Sequence, residues 1–483
     1  SPNVRLLGDR KGGSAELTVG DWLRAGVVDE DDTLSATFAR YRNHFYDPIP
    51  GAPNNGGFTG FLAPLGLLSG LPAPDWSLES TAIAGQDHSY RDARTYLLNA
   101  LVLPSKEARQ RNFAKAFYTL GHVVHVIQDL AQPQHTRNDS HASGSLFEEF
   151  TNNAVLGREP GYVPLLSGAP VPRFPSVREL WVDQARFTNR NFISSGPGKN
   201  FRFSTGTWLR AEHYQNPKPF GATEEVPIEL LPGIDPSIVA WCGANCVMRF
   251  ISSKAEDSDP VVPRAATYSI FTADLSNATA GAWQVSQNRF NFIGVHTHVL
   301  PRAVSYTAGA LDYFFRGKIE FGPDPFNAAQ YVIRNLGTEA MKGEFRLYYD
   351  DASDTRHEVR DASGAPVVWD TRVIVAGGAT PEALAPGESM PVPGFPVPAD
   401  PAPKVTGEYM LVFTGDMGEE NADLPNGVTG AVVGKAVRAY RGALYFAGLN
   451  ALNQVQHFRV DRNGVSAVGP NEINPLAPPF LPA

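Results

Sequence analysis

The sequence has little cysteine, no excess of positive charge and no long apolar run. Cys242 and Cys246 are the only cysteines among 483 residues, too few for a structural zinc site built from four thiolates. The formal net charge of -9 argues against a nucleic-acid partner, because phosphate backbones are bound by clustered Lys and Arg. No apolar stretch reaches the roughly 18 residues that a membrane-spanning helix needs. We therefore expect neither a transmembrane segment nor a nucleic-acid partner.

The two cysteines form a CxxxC pair, which is either a local disulfide or two buried thiols. Gly243 and Asn245 between them suit a tight turn and favour the disulfide. A disulfide would fit an oxidising compartment. The N-terminal sequence lacks the apolar stretch of a signal peptide. We expect a secreted, extracellular or periplasmic protein from which the signal has already been removed.

Hydrophobic residues make up 42% of the chain and aromatic residues 11%, enough for globular domains, and the length suggests two or three of them. Apolar residues recur at three- and four-residue steps between 109 and 132, which predicts a helix that ends before Pro133. A second helix is predicted over 301–321, with Pro301 in its first turn. Long loops rich in Gly and Pro join the helices.

From about residue 340 the pattern changes to short β-branched and aromatic runs bounded by Gly, Asp and Asn, which predict strands. These runs are GEFRLYYDD, VVWDTRVIVAG, GEYMLVFTGD, GAVVGKAVRAY and QVQHFRVDRNG. The predicted fold is a mainly α N-terminal domain over residues 1–325 and an all-β sandwich domain over residues 326–483, the latter with a Pro-rich insertion.

The segment HVIQDLAQPQHTRNDSH, residues 125–141, contains three of the eleven histidines of the chain. His125 and Asp129 are four residues apart on the predicted helix, so their side chains lie on the same face. Pro133 ends the helix and lets His135 approach from another direction, as converging metal ligands must. Asp129 suits a bridge between two ions, because a carboxylate has two oxygens. An isolated His-x3-Asp pair is usually structural, and a second motif is needed to favour metal binding.

That second motif is NHFYDP, residues 43–48, which follows the acidic run VVDEDD, residues 27–32. Together with HVIQDLAQPQH, residues 125–135, these motifs resemble the zinc-dependent phospholipase C family. Bacterial phosphatidylcholine-cleaving enzymes and clostridial alpha-toxin belong to this family, and single-strand-specific zinc nucleases are its structural relatives. The resemblance covers roughly residues 20–320 and implies the helical zinc phospholipase C fold for the first domain.

The resemblance implies two neighbouring zinc ions that share Asp129. The first ion would be held by Asp31, His44, His125 and Asp129, with Asp29 and Asp32 as alternatives to Asp31. Within this set, Asp31 and Asp129 are the candidate catalytic residues. The second ion would be held by His135, His141 and Glu148. His141 takes the role that the family gives to a histidine four residues before the glutamate, where this chain has Gly144.

A third zinc in the family is bound by the N-terminal tryptophan and a nearby histidine. Residues 1–43 contain no histidine, and Trp22 is far from Ser1. We expect either that these ligands precede Ser1 or that the site holds fewer ions, which gives two or three Zn²⁺ per chain.

The function that the resemblance implies is a bacterial, zinc-dependent phospholipase C. Such a hydrolase cleaves phospholipid at a membrane or micelle surface and releases diacylglycerol and a phosphorylated headgroup, and we expect it to be a monomer. Two alternatives stay open: a nuclease or phosphomonoesterase that uses the same zinc cluster, and an extracellular binding protein that has lost catalysis.

Overall fold

The structure is a computed structural model that describes most of the chain. The described residues are 4–10, 12–31, 40–59, 69–79, 86–139, 141, 145–192, 194, 203–204, 207–208, 222–243, 246–252, 260–268, 285–324, 327, 330–371, 383–405, 407–420, 430–439, 444–449, 455–461 and 464–468. The chain divides into two compact units, residues 1–93 with 114–315 and residues 94–113 with 316–483.

The described residues contain α-helices and several antiparallel sheets. The helices are α1 (Val19–Asp29), α2 (Ala73–Leu78), α3 (Tyr90–Val102), α4 (Lys106–Asp129), α5 (Pro133–Thr136), α6 (Leu146–Val155), α7 (Arg178–Asn191), α8 (Pro236–Cys242) and α9 (Arg289–Phe314). Short 3-10 turns lie at Tyr41–Asn43, Pro53–Gly56 and Ile228–Leu230. Within this part of the chain, none of the helices is both long and apolar enough to cross a bilayer.

Helices α1 and α4 approach each other through glycines. A Cβ atom added at Gly26 would lie 1.9 Å from the carbonyl oxygen of Tyr118, and one at Gly121 would lie 2.2 Å from that of Leu23. Because only glycine leaves room for such a contact, the two backbones pack directly against each other. This packing brings the acidic run after α1 beside the C-terminal part of α4.

Helix α4 ends as the sequence predicts, just before Pro133. Gln132 has an extended backbone, the conformation favoured before proline, and its side chain accepts hydrogen bonds from the backbone N–H groups of Gln134 and His135. These bonds start α5 in a new direction. His135 therefore leaves the axis of α4 while staying close to Asp129.

The first unit also contains strands that the sequence pattern did not predict. Strands β1 (Arg5–Arg10) and β2 (Gly13–Thr18) form an antiparallel hairpin, and β3 (Phe203–Ser204) pairs with β4 (Thr207–Trp208). A four-stranded antiparallel sheet has the order β5 (Thr223–Pro227), β6 (Val247–Ile251), β7 (Ala266–Tyr268), β8 (Val285–Ser286). Cys242 and Cys246 form a disulfide between α8 and β6.

The prediction that a helix starts at Pro301 is wrong. Helix α9 begins at Arg289 and has Pro301 in its interior. Asn288 sets the start, because its side chain accepts from Asn291 N while the Asn291 side chain accepts from Asn288 N, a reciprocal capping box. Val299 and Ala303, on either side of the proline, are buried in the core, so packing holds the helix together across the missing backbone bond.

The second unit is rich in antiparallel strands, and a strand forms in each of the five segments predicted. One sheet has the order β14 (Ser389–Pro393), β10 (Gln330–Asn335), β9 (Ile319–Pro323). A second has the order β12 (Arg356–Glu358), β11 (Met341–Asp350), β15 (Glu408–Met417), β16 (Ala431–Arg438), and β13 (Val368–Asp370) also pairs with β11. A third contains β17 (Leu444–Leu449), β18 (Val455–Asp461) and β19 (Gly464–Val468).

The first two of these sheets share one hydrophobic core. Ile333 and Val392 contribute to it from the smaller sheet, and Phe345, Leu411 and Phe413 contribute from the larger one; all five are fully or almost fully buried. Alternate residues of β11 point into this core, as the period of two in the sequence predicts.

Candidate metal centre

The structure brings the predicted ligands together in two groups within the first unit. Asp31, His44 and His125 form one group, called here the first ligand group, and His135, His141 and Glu148 form the second ligand group. Within each group, one potential ligand atom per residue lies within 4.8 Å of the others.

Asp129 lies between the two groups. Its Oδ2 atom is 2.9 Å from Nδ1 of His44 and 3.1 Å from Nε2 of His125, both in the first ligand group. The same atom is 3.9 Å from Nδ1 of His135 in the second. The approach to the second group is at Nδ1 of His135, so a shared role of Asp129 in both groups stays a prediction.

The NHFYDP segment is fixed against the turn that carries His135. The backbone N–H of Tyr46 donates to the carbonyl of His135 at 2.9 Å, and the Phe45 ring stacks on the His135 ring with centroids 4.6 Å apart. Phe45 is fully buried, and its own carbonyl accepts from the N–H of Ala73. His44, one residue earlier, is thereby held next to α4.

Three of the four histidines are oriented by backbone carbonyls. Nδ1 of His125 lies 2.8 Å from the carbonyl oxygen of Val27, Nδ1 of His135 lies 3.1 Å from that of His44, and Nδ1 of His141 lies 3.1 Å from that of Asp139. A carbonyl only accepts, so each Nδ1 carries the proton and each Nε2 presents a lone pair. This is the arrangement that outer partners impose on metal-binding histidines.

Asp129 and two residues of the first ligand group have polar atoms that face one another without hydrogen bonding. Nδ1 of His44, Nε2 of His125 and Oδ2 of Asp129 are buried and have no hydrogen-bond partner among the described residues, although the two nitrogens lie 2.9 and 3.1 Å from that oxygen. Buried polar atoms are normally paired, because leaving one unpaired costs roughly 1–3 kcal/mol. Imidazole nitrogens and carboxylate oxygens are the usual ligands of Zn²⁺, so this donor set fits zinc.

The electrostatics of the centre favour a cation. Burial alone lowers the pKa of His44, but the carboxylates of Asp129 and Glu30 outweigh burial and raise that pKa to about 9. Burial raises the pKa of Asp129, but the electrostatic attraction of His125 and His135 outweighs burial and holds this pKa well below its usual value. The pKa of Glu148 is also lowered, because its interactions with His135 and His141 outweigh burial. The centre therefore attracts positive charge.

The acidic run separates into residues with different surroundings. Oδ1 of Asp31 is 3.5 Å from Nδ1 of His44, and its Oδ2 is 3.3 Å from Nε2 of His125. Asp29 lies elsewhere, since it accepts hydrogen bonds from Arg10 and from the hydroxyl of Tyr118, each at 2.9 Å. Asp32 lies outside the described residues. Of the two described candidates, only Asp31 faces the histidines.

Glu30 is a member of the centre that the sequence analysis missed. Its carboxylate is 1% exposed and lies 3.0 Å from Nε2 of His44, on the side of the ring away from Asp129. His122, one turn before His125 on α4, also bonds to Glu30 through Nδ1. The only signal in the sequence was the position of Glu30 inside the acidic run.

Gln132 connects the helix motif to the second ligand group. Besides capping α5, it donates from Nε2 to Oε1 of Glu148 at 2.9 Å. Ser145 caps α6 by accepting the backbone N–H of Glu148, and Oε1 of Glu148 lies 2.9 Å from Nε2 of His141. These contacts give Gln132 and Ser145 a direct role in placing the glutamate.

Trp22 has a structural position. Its side chain is fully buried, its indole N–H donates to the carbonyl of Leu6 at 3.0 Å, and its ring packs edge-on against Tyr118. These contacts belong to the core between β1, α1 and α4, and they do not make Trp22 a metal ligand.

A cavity of about 370 Å³ lies in the second unit, and none of these ligands lines it. Its charged lining residues form ion pairs, among them Arg356 with Asp350 and Lys404 with Asp354. Ligand pockets usually hold convergent polar groups that are free to bind, so the histidine centre is the better candidate functional site.

No protein-family model matches this chain, and no curated protein sequence matches it either. Among solved structures, one that is similar is a crystal structure of alpha-toxin from an avian strain of Clostridium perfringens. The similarity covers 86% of this chain and 90% of the toxin chain, at 10% sequence identity and a TM-score of 0.18. These values do not define a shared fold, and the function proposed below rests on the residues of this chain.

Proposed function

We propose that this chain is a zinc-dependent phosphodiester hydrolase of the phospholipase C type, which acts on phospholipid and releases diacylglycerol and a phosphorylated headgroup. The observation that supports the proposal most strongly is the pair of ligand groups on either side of Asp129. Their residues fall in the motifs that resemble zinc-dependent phospholipases C.

Each ligand group would bind one zinc ion. His44, His125 and Asp31 would hold one ion, His135, His141 and Glu148 would hold a neighbouring one, and Asp129 would contact both. Bound zinc supplies charge stabilisation to a phosphate and lowers the pKa of water towards neutrality. His125, His135 and His141 donate from Nδ1 to the carbonyls of Val27, His44 and Asp139, which turns each Nε2 towards the ligands, and Gln132 keeps Glu148 in place.

The choice of phospholipid over nucleic acid rests on charge and on the sequence motif. The formal net charge of -9 gives no long-range attraction for a polyanion. The HFYDP motif that begins at His44 resembles the motif of the zinc-dependent phospholipases C. A secreted location, a monomeric state and two zinc ions are part of the same proposal.

The test is zinc content followed by substrate choice. Protein purified without chelator or histidine tag is expected to contain two zinc ions per chain by elemental analysis, and to hydrolyse phosphatidylcholine micelles faster than single-stranded DNA or a phosphomonoester. Faster cleavage of DNA would replace the phospholipase by a nuclease. Protein that takes up no zinc even when zinc is supplied would support a binding protein that has lost catalysis.

A further inference from the structure

Glu30 lies at the centre of a buried group of donors. It directly follows the last residue of α1, and its Oε1 accepts from Nε1 of Trp76 at 3.2 Å and lies 3.0 Å from Nε2 of His44. Its Oε2 accepts from Nη2 of Arg40 at 2.6 Å and from Nδ1 of His122. Nε of Arg40 also donates to Oε2, at 3.1 Å, so the Glu30 carboxylate forms a charge-assisted pair with a guanidinium.

A carboxylate that is paired with a guanidinium only accepts hydrogen bonds, so the His44 nitrogen that faces Glu30 carries a proton. That nitrogen is Nε2, which leaves Nδ1, on the side of Asp129 and Asp31, as the nitrogen available to a metal ion. The other three histidines are turned the opposite way, with Nδ1 on a backbone carbonyl and Nε2 towards the ligands. His44 is thus the one histidine of the four whose orientation depends on a charged side chain.

Both oxygens of Glu30 already accept hydrogen bonds, and three of the donors are Nε and Nη2 of Arg40 and Nε1 of Trp76. A metal ion would have to displace these donors and approach a guanidinium, so Glu30 itself is not placed to be a ligand. A carboxylate behind a metal-binding imidazole fixes the ring and makes it a stronger base.

We propose that Glu30 is a positioning residue of the centre: through Nε2 of His44 it selects Nδ1 as the metal-binding nitrogen and strengthens the first ligand group. The inference rests on the zinc binding of the proposed function and adds a residue to it. Arg40, Trp76 and His122 in turn keep Glu30 in a single orientation.

The first test compares Glu30→Gln with Asp29→Asn. Asp29 precedes Glu30 and is just as buried, but among the described residues it bonds to Arg10 and Tyr118 and not to a histidine. The readout is affinity for Zn²⁺ and Co²⁺, measured by competition with a chromophoric chelator. E30Q is expected to weaken one of the two metal equivalents by about 10- to 100-fold, the usual effect of losing an outer partner. D29N is expected to bind both ions like the unchanged protein.

The second test needs no substitution, so it holds even if E30Q fails to fold. In zinc-loaded protein labelled with ¹⁵N-histidine, NMR distinguishes a protonated nitrogen from a metal-bound one. His44 is expected to be protonated at Nε2 and metal-bound at Nδ1, while His125, His135 and His141 show the reverse pattern. Coordination of His44 through Nε2 would overturn the inference.

The two proposals fail in different ways. If the unchanged protein binds two zinc ions and folded E30Q binds them equally well, the inference about Glu30 is wrong and the proposed function stands. If the unchanged protein binds no metal, both are wrong.

Discussion

Glu30 in the first unit and Glu420 in the second are both deeply buried carboxylates, yet their surroundings differ in kind. Glu420 is 8% exposed and is bonded by Arg94, at 2.6 and 2.9 Å, and by Arg316, at 2.9 Å. Glu30 is bonded by one arginine and two histidines. Every nitrogen of a guanidinium is a donor, whereas an imidazole that donates through one nitrogen still offers a lone pair on the other. The arginines around Glu420 therefore only form ion pairs with it. His44, in contrast, contacts Glu30 through Nε2 and faces Asp129 and Asp31 through Nδ1.

Asp129→Asn is expected to give the largest effect, because it removes the carboxylate that we propose serves both ligand groups. An amide lacks the charge that balances His44 and His125, so zinc should be lost from the first group and weakened in the second. Phosphodiesterase activity is expected to fall by more than about 100-fold, since even outer partners of a metal site are worth 10- to 100-fold. Elemental analysis and turnover on phosphatidylcholine would measure this, and retention of two zincs with full turnover would contradict the proposed function.

Glu420→Gln should affect stability and leave zinc alone. The substitution removes a charged partner of the fully buried Arg94 and of Arg316, which also pairs with Glu339. Breaking a buried ion pair on one side typically costs about 3–5 kcal/mol in the free energy of unfolding. Calorimetry and zinc analysis of the same preparation would measure both properties. Glu408→Gln, which breaks an exposed pair with Arg438 in the same unit, is the control and should change stability little. Loss of zinc from folded E420Q would contradict the contrast with Glu30.

Gly121→Ala should displace α1, the helix that Glu30 follows, from α4. The new methyl group would press on the Leu23 carbonyl and separate α1 from α4. The expected cost is about 1–3 kcal/mol of stability, together with weaker zinc binding, because α1 carries the Val27 carbonyl that orients His125. Gly20→Ala on α1 is the control, since its Cβ would meet open space and alanine favours a helix. Equal stability of both variants in calorimetry would contradict the close approach of the helices.

The acid dependence of stability should be smaller but should follow Glu420. Its pKa is lowered from the ordinary 4.5, because Arg94 and Arg316 outweigh the effect of burial. A lowered pKa stabilises the folded state above pH 4.5, and this stabilisation is lost as the pH falls from there through the folded-state pKa. The difference in melting temperature between the unchanged protein and E420Q is therefore expected to be constant above about pH 6 and to shrink below pH 4.5. If this difference in melting temperature grows as the pH falls, the pKa of Glu420 is raised in the folded state and not lowered.

The sequence predicted local features better than long-range ones. The helix before Pro133 and the five strand segments follow from periodicities of 3.6 and 2 that residues close in the chain determine. The start of α9 was missed because the prediction placed Pro301 at a helix start, whereas the capping box at Asn288 begins the helix earlier. The sheet formed by β5 to β8 was missed because its strands are short and far apart in the chain.

The candidate site shows the same limit. The motifs pointed to the histidines and to Asp129, and the spacing of His125 and Asp129 on one helix indicated their common face. The choice of Asp31 over Asp29 depends on Arg10 and Tyr118, which engage Asp29 from distant parts of the chain. Glu30 was missed for the same reason, since its partners Arg40, Trp76 and His122 come from three separate segments.

His44 contributes to both ligand groups, because its carbonyl oxygen accepts a hydrogen bond from Nδ1 of His135. The ring of His44 belongs to the first ligand group, while its carbonyl orients a ring of the second. The backbone of His44 therefore sets both the place of its own ring and the angle at which Nε2 of His135 is presented. Oδ2 of Asp129 also lies near both rings, 2.9 Å from Nδ1 of His44 and 3.9 Å from Nδ1 of His135. We expect a change in the backbone at this position to disturb both ligand groups together.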